Sequence, residues 1–334
     1  MYKVIVTGAT GFVGNNLVRL MMEQDIQVVA LVRPGSDLRV FNGLDLEIFD
    51  SQLDDEVRLS SLLSSSDVLV HAAGHIWLGK HHLDLGRRVN VELTQTLAKL
   101  SRQHRVRMIH VSTVDALSAA SSPESPCDET NIEPIKSDST YSITKQEAER
   151  SFLEQVDLGL DGLIVNPSFM LGPWDWKPSS GQIVREVCKG WVLFAPGGGI
   201  SAVDVRDVCR GIISAIEHGR SGERYILAGE NLTFLELWQR IAAVARKTWP
   251  KYALPNWLAY PIGKLADISR LLPGREVQIN STAISMGQLY NYYSSAKAQA
   301  ELGYKISPLQ PAIEAAYDWL HEYGYLGKKM QGSN

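Results

Sequence analysis

The sequence predicts an α/β fold with a doubly wound parallel sheet and a second, smaller lobe that is mainly helical. Three observations predict it. Short apolar runs alternate with segments of helical spacing through the first half of the chain, the first run leads into a glycine-rich turn, and later runs end in small or hydroxyl residues. Because ligands bind outside the carboxyl ends of such strands, we expect the functional residues there.

Composition sets the broad class of protein. The chain has 334 residues, 45% of them hydrophobic and 21% charged, and its net charge of −4 leaves no basic excess for binding nucleic acid or an anionic membrane surface. Cys127, Cys188 and Cys209 lack metal-ligand spacing and are interpreted as reduced thiols. No apolar run reaches the roughly 20 residues that span a bilayer. We expect a soluble, cytoplasmic protein without a metal site.

The first predicted unit is the stretch from Lys3 to Leu20, a strand, a tight turn and a helix. The turn carries Gly8, Gly11 and Gly14, which let backbone N–H groups at the helix start approach an anion without a Cβ in the way. A glycine repeat alone is weak evidence. With the flanking strand and helix, it predicts a bound pyrophosphate.

The second strand, Gln27 to Val32, indicates which dinucleotide is bound. At this strand end a carboxylate would accept hydrogen bonds from a free ribose 2′-hydroxyl, whereas an arginine would pair with a 2′-phosphate. Arg33 stands there, which favours NADP(H) over NAD(H), although NAD(H) remains an option. A solvated arginine is the structural alternative, and Arg39 is a weaker second candidate.

Three more strands are predicted in this lobe. Leu46 to Asp50 ends in a carboxylate that would accept from the adenine amine. Asp67 to Ala72 ends in small residues, which let the backbone lie against the cofactor. Arg107 to Ser112 leads into the hydroxyl residues Ser112 and Thr113.

Farther on, the chain divides between two lobes. The polar stretch from 116 to 140 is long for a compact domain, and we interpret it as either a cover over the site or a surface loop. Beyond a sixth strand, Gly162 to Val165, aromatic residues and turn formers become frequent. We assign 1–166 and 203–229 to the dinucleotide-binding lobe, 167–202 and 230–326 to the substrate-binding lobe, and 327–334 to a flexible tail.

Tyr141 and Lys145 lie four residues apart on a predicted helix, and hence on one face. Carbonyl reduction needs a hydride for carbon, a proton for oxygen and a donor that polarises the carbonyl. A tyrosine can supply the proton, and a nearby ammonium would lower its pKa. The pair is common by chance, but here it follows a nucleotide-type strand array and a strand that ends in Ser112 and Thr113.

A set of short motifs carries a family resemblance: TGATGFVG, HAAG, RVNVELTQTL, Ser112-Thr113, Tyr141-x-x-x-Lys145, NPSFMLGP and YSSAKAQAELGY. In this order they resemble the extended short-chain dehydrogenases/reductases of the NAD-dependent epimerase/dehydratase superfamily, which have a Rossmann fold. Within it, Arg33-Pro34 and Asn166-Pro167-Ser168 resemble the dihydroflavonol-reductase-like branch. VNPSFMLGPWDWKP through GERYILAGENLT is similar to hopanoid-associated sugar epimerases.

The resemblance implies roles for the matching positions. Tyr141 would be the general acid/base, and Lys145 would bind the nicotinamide ribose and tune Tyr141. The catalytic hydroxyl aligns with Thr113, where serine is more usual, and Ser112 remains a substitute. The cofactor would lie on Gly8, Thr10, Gly11, Phe12, Val13 and Gly14 (pyrophosphate), Arg33 (2′-phosphate), Asp50 and Ser51 (adenine), Ala72, Ala73 and Gly74 (ribose and nicotinamide), and Pro167 and Ser168 (carboxamide).

The resemblance also bears on the reaction and on assembly. Sugar 4,6-dehydratases carry Thr-Asp-Glu at this strand end, whereas this chain has Thr113, Val114 and Asp115. Dehydration would lack its proton donor and is disfavoured, although Asp115 keeps a carboxyl for some acid/base step. Many relatives pair subunits through helices at 86–100 and 141–154, while members of this branch are often monomers, so we expect a monomer or a homodimer.

The residues beyond the cofactor positions predict the substrate. Aromatic and apolar side chains enter from both lobes: His75, Trp77, Phe169, Met170, Trp174, Trp176 and Trp191. Such density suits a flat or apolar carbonyl compound, with a small-lobe core as the alternative, which we favour for Trp191. His75, His81 and His82 match no strong zinc pattern, so we expect no metal.

We therefore predict an NADP(H)-dependent reductase or dehydrogenase that interconverts a carbonyl and an alcohol on a small, apolar or aromatic substrate. A nucleotide-sugar epimerase that holds NAD tightly is the second hypothesis, and Arg33 and Asn166-Pro167 argue against it. A non-catalytic dinucleotide sensor is the third, and the intact pair of Tyr141 and Lys145 argues against that one.

Overall fold

The structure, a computed structural model, describes residues 2–326 apart from 53, 78, 80–81, 134–136, 138, 191–192, 249, 256, 260, 262–283 and 285–286. Trp191, His81 and the predicted tail at 327–334 lie outside the described residues. Neither a bilayer-crossing helix nor a metal-binding cluster of three or more His, Cys, Asp or Glu side chains occurs in the part of the chain that is described.

The described elements follow in chain order. The strands are β1 (Lys3–Thr7), β2 (Gln27–Val32), β3 (Glu47–Asp50), β4 (Val68–His71), β5 (Arg107–Val111), β6 (Gly162–Pro167), β7 (Phe169–Leu171), β8 (Phe194–Ala195), β9 (Gly199–Asp204), β10 (Arg224–Leu227), β11 (Glu230–Thr233), β12 (Tyr252–Ala253) and β13 (Tyr290–Asn291). The helices are α1 (Phe12–Glu23), α2 (Glu56–Leu63), α3 (Leu83–Gly86), α4 (Leu93–His104), α5 (Thr140–Asp157), α6 (Gly181–Lys189), α7 (Val205–His218), α8 (Phe234–Val244), α9 (Ala296–Leu302) and α10 (Gln310–Glu322). A π-helical segment, Arg87–Glu92, joins α3 to α4.

The main sheet has seven strands in the order β10-β6-β5-β4-β1-β2-β3, and every neighbouring pair is parallel. In β1, Ile5 lies opposite Val29 of β2 on one side and Leu69 of β4 on the other. The strand order reverses at β1, so a ligand crevice opens beyond the carboxyl ends of β1 and β4. The predicted doubly wound α/β fold is confirmed.

Helices cover both faces of this sheet. Val4 and Val6 pack in one hydrophobic cluster with α1 and α7, whereas Ile5 packs in the opposite cluster with α2 and α4. Burial on both faces explains why the first strand is a continuous apolar run rather than an alternating one.

The second lobe combines α6, α8 and α10 with a small sheet in which β9 pairs with β7, β11 and β13. Val184, Leu237 and Trp319 lie in its core. The sequence predicted a mainly helical second lobe but not the small sheet, because strands of only 2–4 residues around β9 are too short to show a period.

One segment packs in a different lobe from the one assigned to it, and a second is more buried than its polar sequence indicated. Residues 296–304, assigned from the sequence to the second lobe, pack against α7 and β10 with Ala298 and Leu302 in the main-sheet core. The described part of the stretch from 116 to 140 is packed at some points and exposed at others: Leu117 and Cys127 are buried, and the Cys127 N–H donates a 2.9 Å hydrogen bond to the carbonyl of Tyr292, whereas residues 123–126 are exposed. Isolated apolar residues within this polar stretch thus attach it to the protein core.

Candidate active site

The turn between β1 and α1 forms a cradle that only glycine fits. Gly8 has a φ of +67°, and a Cβ there would lie 2.6–2.7 Å from backbone atoms of Ala72 and Ala73, at the end of β4. A Cβ on Gly14 would lie 2.3 Å from the Gly8 carbonyl oxygen. Gly11 caps α1 without a side-chain hydrogen bond, which leaves first-turn N–H groups for an anion. Thr10, Phe12 and Val13 are half-buried around this turn.

The ends of β2 and β3 lie side by side at the edge of the crevice. Arg33 follows β2 with an exposed side chain. Arg39, the weaker candidate, is held by Asp37, whose carboxylate accepts bonds of 2.9 and 2.6 Å from its guanidinium. Asp50 ends β3, exposed and 3.5 Å from the Arg58 guanidinium, and the Ser51 hydroxyl beside it is buried and donates to the Gln52 carbonyl.

The predicted catalytic side chains meet where α5 crosses the end of β5. Tyr141 and Lys145 lie in the first turns of α5, whose N-terminus is capped by the Ser139 hydroxyl at 3.1 Å from the Ser142 N–H. The Lys145 ammonium donates to the Val111 carbonyl at 2.9 Å, and the Thr113 hydroxyl is a hydrogen-bond partner of the Tyr141 phenol.

The electrostatics of this group differ from the sequence-based expectation. The pKa of Tyr141 is raised, not lowered, because burial and the nearby Asp115 disfavour the phenolate, and the hydrogen bond from Thr113 offsets only part of this. Burial lowers the pKa of Lys145 to about 8, against a smaller opposing effect of Glu149. The spacing of Tyr141 and Lys145 predicted their common face but not the degree of burial, which decides the direction of both shifts.

The two candidate hydroxyls at the end of β5 are in different settings. Thr113 contacts Tyr141, and its hydroxyl also lies 3.4 Å from the Asp115 carboxylate. The Ser112 hydroxyl is buried and has no hydrogen-bond partner among the described residues. Of the two, Thr113 is the one placed beside the phenol.

Asn90, in the π-helical segment, is a site residue that the sequence argument missed. Its side-chain oxygen accepts from the His75 N–H at 2.7 Å, and its amide group donates to the His75 carbonyl at 3.0 Å and to the Thr144 hydroxyl at 2.9 Å. It therefore ties the segment after β4 to α5. Local departures of this kind from α-helical pitch often mark functional sites, but no sequence period announces them.

A second chain of hydrogen bonds supports the same segment from beneath. The Ala73 N–H donates to the Thr7 hydroxyl at 3.2 Å, which lies 2.7 Å from His71 Nδ1. On the other side, His71 Nε2 is 3.1 Å from the Thr94 hydroxyl, whose proton goes to the Asn90 carbonyl at 2.6 Å. Burial lowers the pKa of His71 to about 3, so the ring is neutral. The proton must then sit on Nε2, with Nδ1 accepting from Thr7.

The predicted substrate residues divide into two groups. His75 and Trp77 lie on the segment after β4, which contacts the start of α5: the Trp77 carbonyl accepts from the Tyr141 N–H at 3.1 Å. Met170, in β7, is half-buried against the main core. Trp174 instead lies over the Arg19 guanidinium, 3.6 Å from it, in a cluster with Trp176, Trp319 and Tyr323. The structure thus places Trp174 in the aromatic packing of the second lobe.

The residues present fit a dinucleotide. The cradle that a Cβ would fill at Gly8 and Gly14 brings backbone N–H groups to the crevice. Gly74 is exposed, and a Cβ there would lie 3.5 Å from Lys145 Nζ, so an approaching group meets backbone and ammonium together. Beyond the buried Pro167, the Ser168 hydroxyl is also buried, without a hydrogen-bond partner among the described residues.

Comparisons with known proteins agree with this geometry. Residues 4–228 match the model of the NAD dependent epimerase/dehydratase family. The chain is 30% identical to the "Putative dihydroflavonol 4-reductase" of Synechocystis sp., across 96% of this chain and 95% of that protein. It is 29% identical to sterol demethylase protein B of Methylococcus capsulatus, across 96% and 99%. The crystal structure of gox2253 has a TM-score of 0.84 at 31% identity, covering 97% of this chain and 99% of that one.

Proposed function

Because the chain belongs to the NAD-dependent epimerase/dehydratase family, we propose that it is an NADP(H)-dependent oxidoreductase that interconverts a carbonyl and an alcohol. The observation that carries this proposal is the convergence of Tyr141, Thr113 and Lys145 at the end of β5, beside a glycine cradle. A phenol, a second hydroxyl and an ammonium at the mouth of a dinucleotide crevice are the groups that carbonyl reduction requires.

The proposed binding mode assigns the cofactor to the carboxyl ends of the strands. The Gly8, Gly11 and Gly14 turn, with Thr10, Phe12 and Val13, holds the pyrophosphate. The adenine lies by Asp50 and Ser51, the ribose and nicotinamide side by Ala72, Ala73 and Gly74, and the carboxamide by Pro167 and Ser168. When bound, the cofactor supplies or accepts the hydride.

In the proposed reaction, Tyr141 moves the proton. Its raised pKa keeps the phenol protonated at neutral pH, which suits a donor to the oxygen of a carbonyl that is being reduced. The Thr113 hydroxyl polarises that oxygen from the side. Lys145, fixed by the Val111 carbonyl, places its positive charge where it holds the cofactor ribose and stabilises negative charge that develops on Tyr141.

The preference for NADP(H) rests on Arg33. Its exposed side chain directly follows β2 at the crevice edge, and the carboxylates described nearby are engaged elsewhere: Asp37 binds Arg39, and Asp50 lies against Arg58. A guanidinium in this position pairs with a 2′-phosphate, and both NADP(H) and NAD(H) would use the rest of the cradle.

The proposed substrate is a small, apolar or aromatic carbonyl compound or the corresponding alcohol. His75, Trp77 and Met170 are the side chains proposed to meet it. Two relatives support this class, since their names refer to a dihydroflavonol and to a sterol, which are both flat, largely apolar ring systems. Trp174 is left out of the proposed set because of its packing on Arg19.

Epimerisation with a retained cofactor is the second candidate, favoured by the matched family model, which includes epimerases. Both candidates use the same tyrosine and lysine, and they differ in whether the cofactor turns over.

The test is to measure binding of NADPH and NADH to the purified chain and then to screen aldehydes and ketones for oxidation of the bound cofactor. We expect tighter binding of NADPH and net oxidation with an apolar or aromatic carbonyl. NAD retained through purification, with no net turnover and a changed configuration in a nucleotide sugar, would favour the epimerase instead.

A further inference from the structure

The Thr113 hydroxyl lies between two groups that compete for its single proton. On one side its Oγ1 faces the Tyr141 phenol. On the other it lies 3.4 Å from Asp115 Oδ2 and accepts a 3.2 Å hydrogen bond from the Asp115 N–H. A threonine hydroxyl can donate only once, so a proton directed at Asp115 is not available to a substrate oxygen.

We infer that Asp115 is a positioning residue whose own proton decides which way the Thr113 hydroxyl points. As a carboxylate, Asp115 accepts the Thr113 proton and turns it away from the substrate. As a carboxylic acid, Asp115 donates to Thr113 Oγ1, and the Thr113 proton is then free to polarise the carbonyl. The inference rests on the proposed function, because it concerns the hydroxyl that would contact the substrate.

The surroundings of Asp115 favour the acid form. Burial raises its pKa, and its hydrogen bond with Thr113 offsets part of that rise. The titratable side chains that face it in the described structure are two phenols, Tyr141 on α5 and Tyr293 just beyond β13. Tyr293 donates its proton to the Val114 carbonyl at 3.2 Å, so it does not stabilise a carboxylate. A buried carboxyl among neutral groups holds its proton to higher pH than an exposed one.

The sequence around Asp115 makes the arrangement possible. Thr113 begins a single 3₁₀ turn, Val114–Ala116, and its side chain caps that turn through the Asp115 N–H. The same short turn that fixes Thr113 brings the carboxyl of Asp115 back to the Thr113 hydroxyl. Asp115 therefore acts on the reaction through Thr113, and contact with the substrate is not required of it.

Asp115→Asn and Asp115→Ala test the inference, because asparagine keeps the shape and donates at every pH, whereas alanine removes the donor. We expect the wild-type kcat for carbonyl reduction to fall as pH rises through the Asp115 pKa. Asp115→Asn should lose this dependence and keep the low-pH rate, and Asp115→Ala should lose about tenfold, the value of one hydrogen bond to the hydroxyl. An unchanged pH profile in Asp115→Asn would overturn the inference.

A second measurement does not depend on turnover. Infrared difference spectra of ligand-free wild type against Asp115→Asn should show the carbonyl stretch of a protonated carboxyl that persists to higher pH than that of an exposed aspartate. In Thr113→Val its midpoint should move to higher pH, because the hydrogen bond that lowers the Asp115 pKa is gone. Absence of the band contradicts the inference, and so does a band whose titration midpoint is the same in Thr113→Val as in wild type. Wild type that shows the band but reduces no carbonyl would contradict the proposed function alone.

Discussion

The Lys145 ammonium donates a 2.9 Å hydrogen bond to the carbonyl oxygen of Val111, the last residue of β5. This bond fixes α5 to the strand end that precedes Thr113. It also keeps a positive charge in a buried position, where desolvation lowers the lysine pKa to about 8. Lys145 thus positions the site while its buried charge lowers the free energy of unfolding. Activity and thermal stability of a Lys145 variant measure the two effects separately.

We predict that Lys145→Met lowers carbonyl reduction at least 100-fold while leaving the Tm at neutral pH equal or higher. A drop in pKa from 10.5 to about 8 corresponds to about 3 kcal/mol, at about 1.4 kcal/mol per pKa unit. Because the folded-state pKa lies below the unfolded one, this penalty is complete below pH 8. Above pH 8 the unfolded chain binds the extra proton, so wild-type stability recovers with rising pH.

Thermal unfolding of wild type and Lys145→Met near pH 7 and pH 10 checks this account of Lys145. The advantage of Lys145→Met at the lower pH should shrink at the higher one. Lys145→Arg, which keeps its charge across the range, is the matched control. A Tm for Lys145→Met far below wild type at neutral pH would show that the ammonium stabilises the fold.

The cradle predicts a contrast between two glycines of similar backbone conformation. Gly8 and Gly303 have φ values of +67° and +62°, but a Cβ meets backbone within 2.7 Å at Gly8 and nothing within 4 Å at Gly303. Alanine at either position costs about 1–2 kcal/mol for the left-handed conformation. We expect only Gly8→Ala to weaken NADPH binding more than tenfold, as measured by fluorescence titration. Equal NADPH affinity in Gly8→Ala and Gly303→Ala would contradict the proposal that the glycine turn binds the cofactor.

Much of this fold could be predicted from the sequence because it is locally encoded. Continuous apolar runs mark strands buried on both faces, as at Gln27–Val32, whose predicted and observed bounds coincide. The glycine spacing predicted a tight turn between the first strand and the first helix, and β1 and α1 flank that turn in the structure. The spacing of Tyr141 and Lys145 predicted a shared helix face.

Other features depend on contacts between distant segments, and no local pattern encodes them. Asn90 links the π-helical segment to the segment after β4 through its bond to His75, and no local pattern shows that these two segments touch. Trp174 belongs to an aromatic-rich stretch of the kind that lines ligand pockets, yet its ring packs on Arg19. The sequence pattern alone does not show which residues cover a tryptophan. The raised pKa of Tyr141 follows from burial and from Asp115, not from its spacing to Lys145.

Arg33 predicts the cofactor preference. We expect Arg33→Ala to raise the KM for NADPH about 10- to 100-fold, the value of a charge-assisted hydrogen bond, and to leave the KM for NADH unchanged. Arg39→Ala is the control, since Asp37 already holds that guanidinium. Steady-state kinetics with both cofactors decide the matter. An equal rise in the KM for NADH would show that Arg33 supports the structure of the site and does not bind the 2′-phosphate.

The central claim is that the Tyr141 phenol transfers the proton in a carbonyl reduction. Its most direct test is the rate of carbonyl-dependent NADPH oxidation by wild type and Tyr141→Phe, with NADPH affinity measured on both. The account predicts a rate lower by about 10²- to 10⁴-fold at unchanged affinity, as expected when a general acid is removed. Oxidation by Tyr141→Phe at the wild-type rate would contradict it.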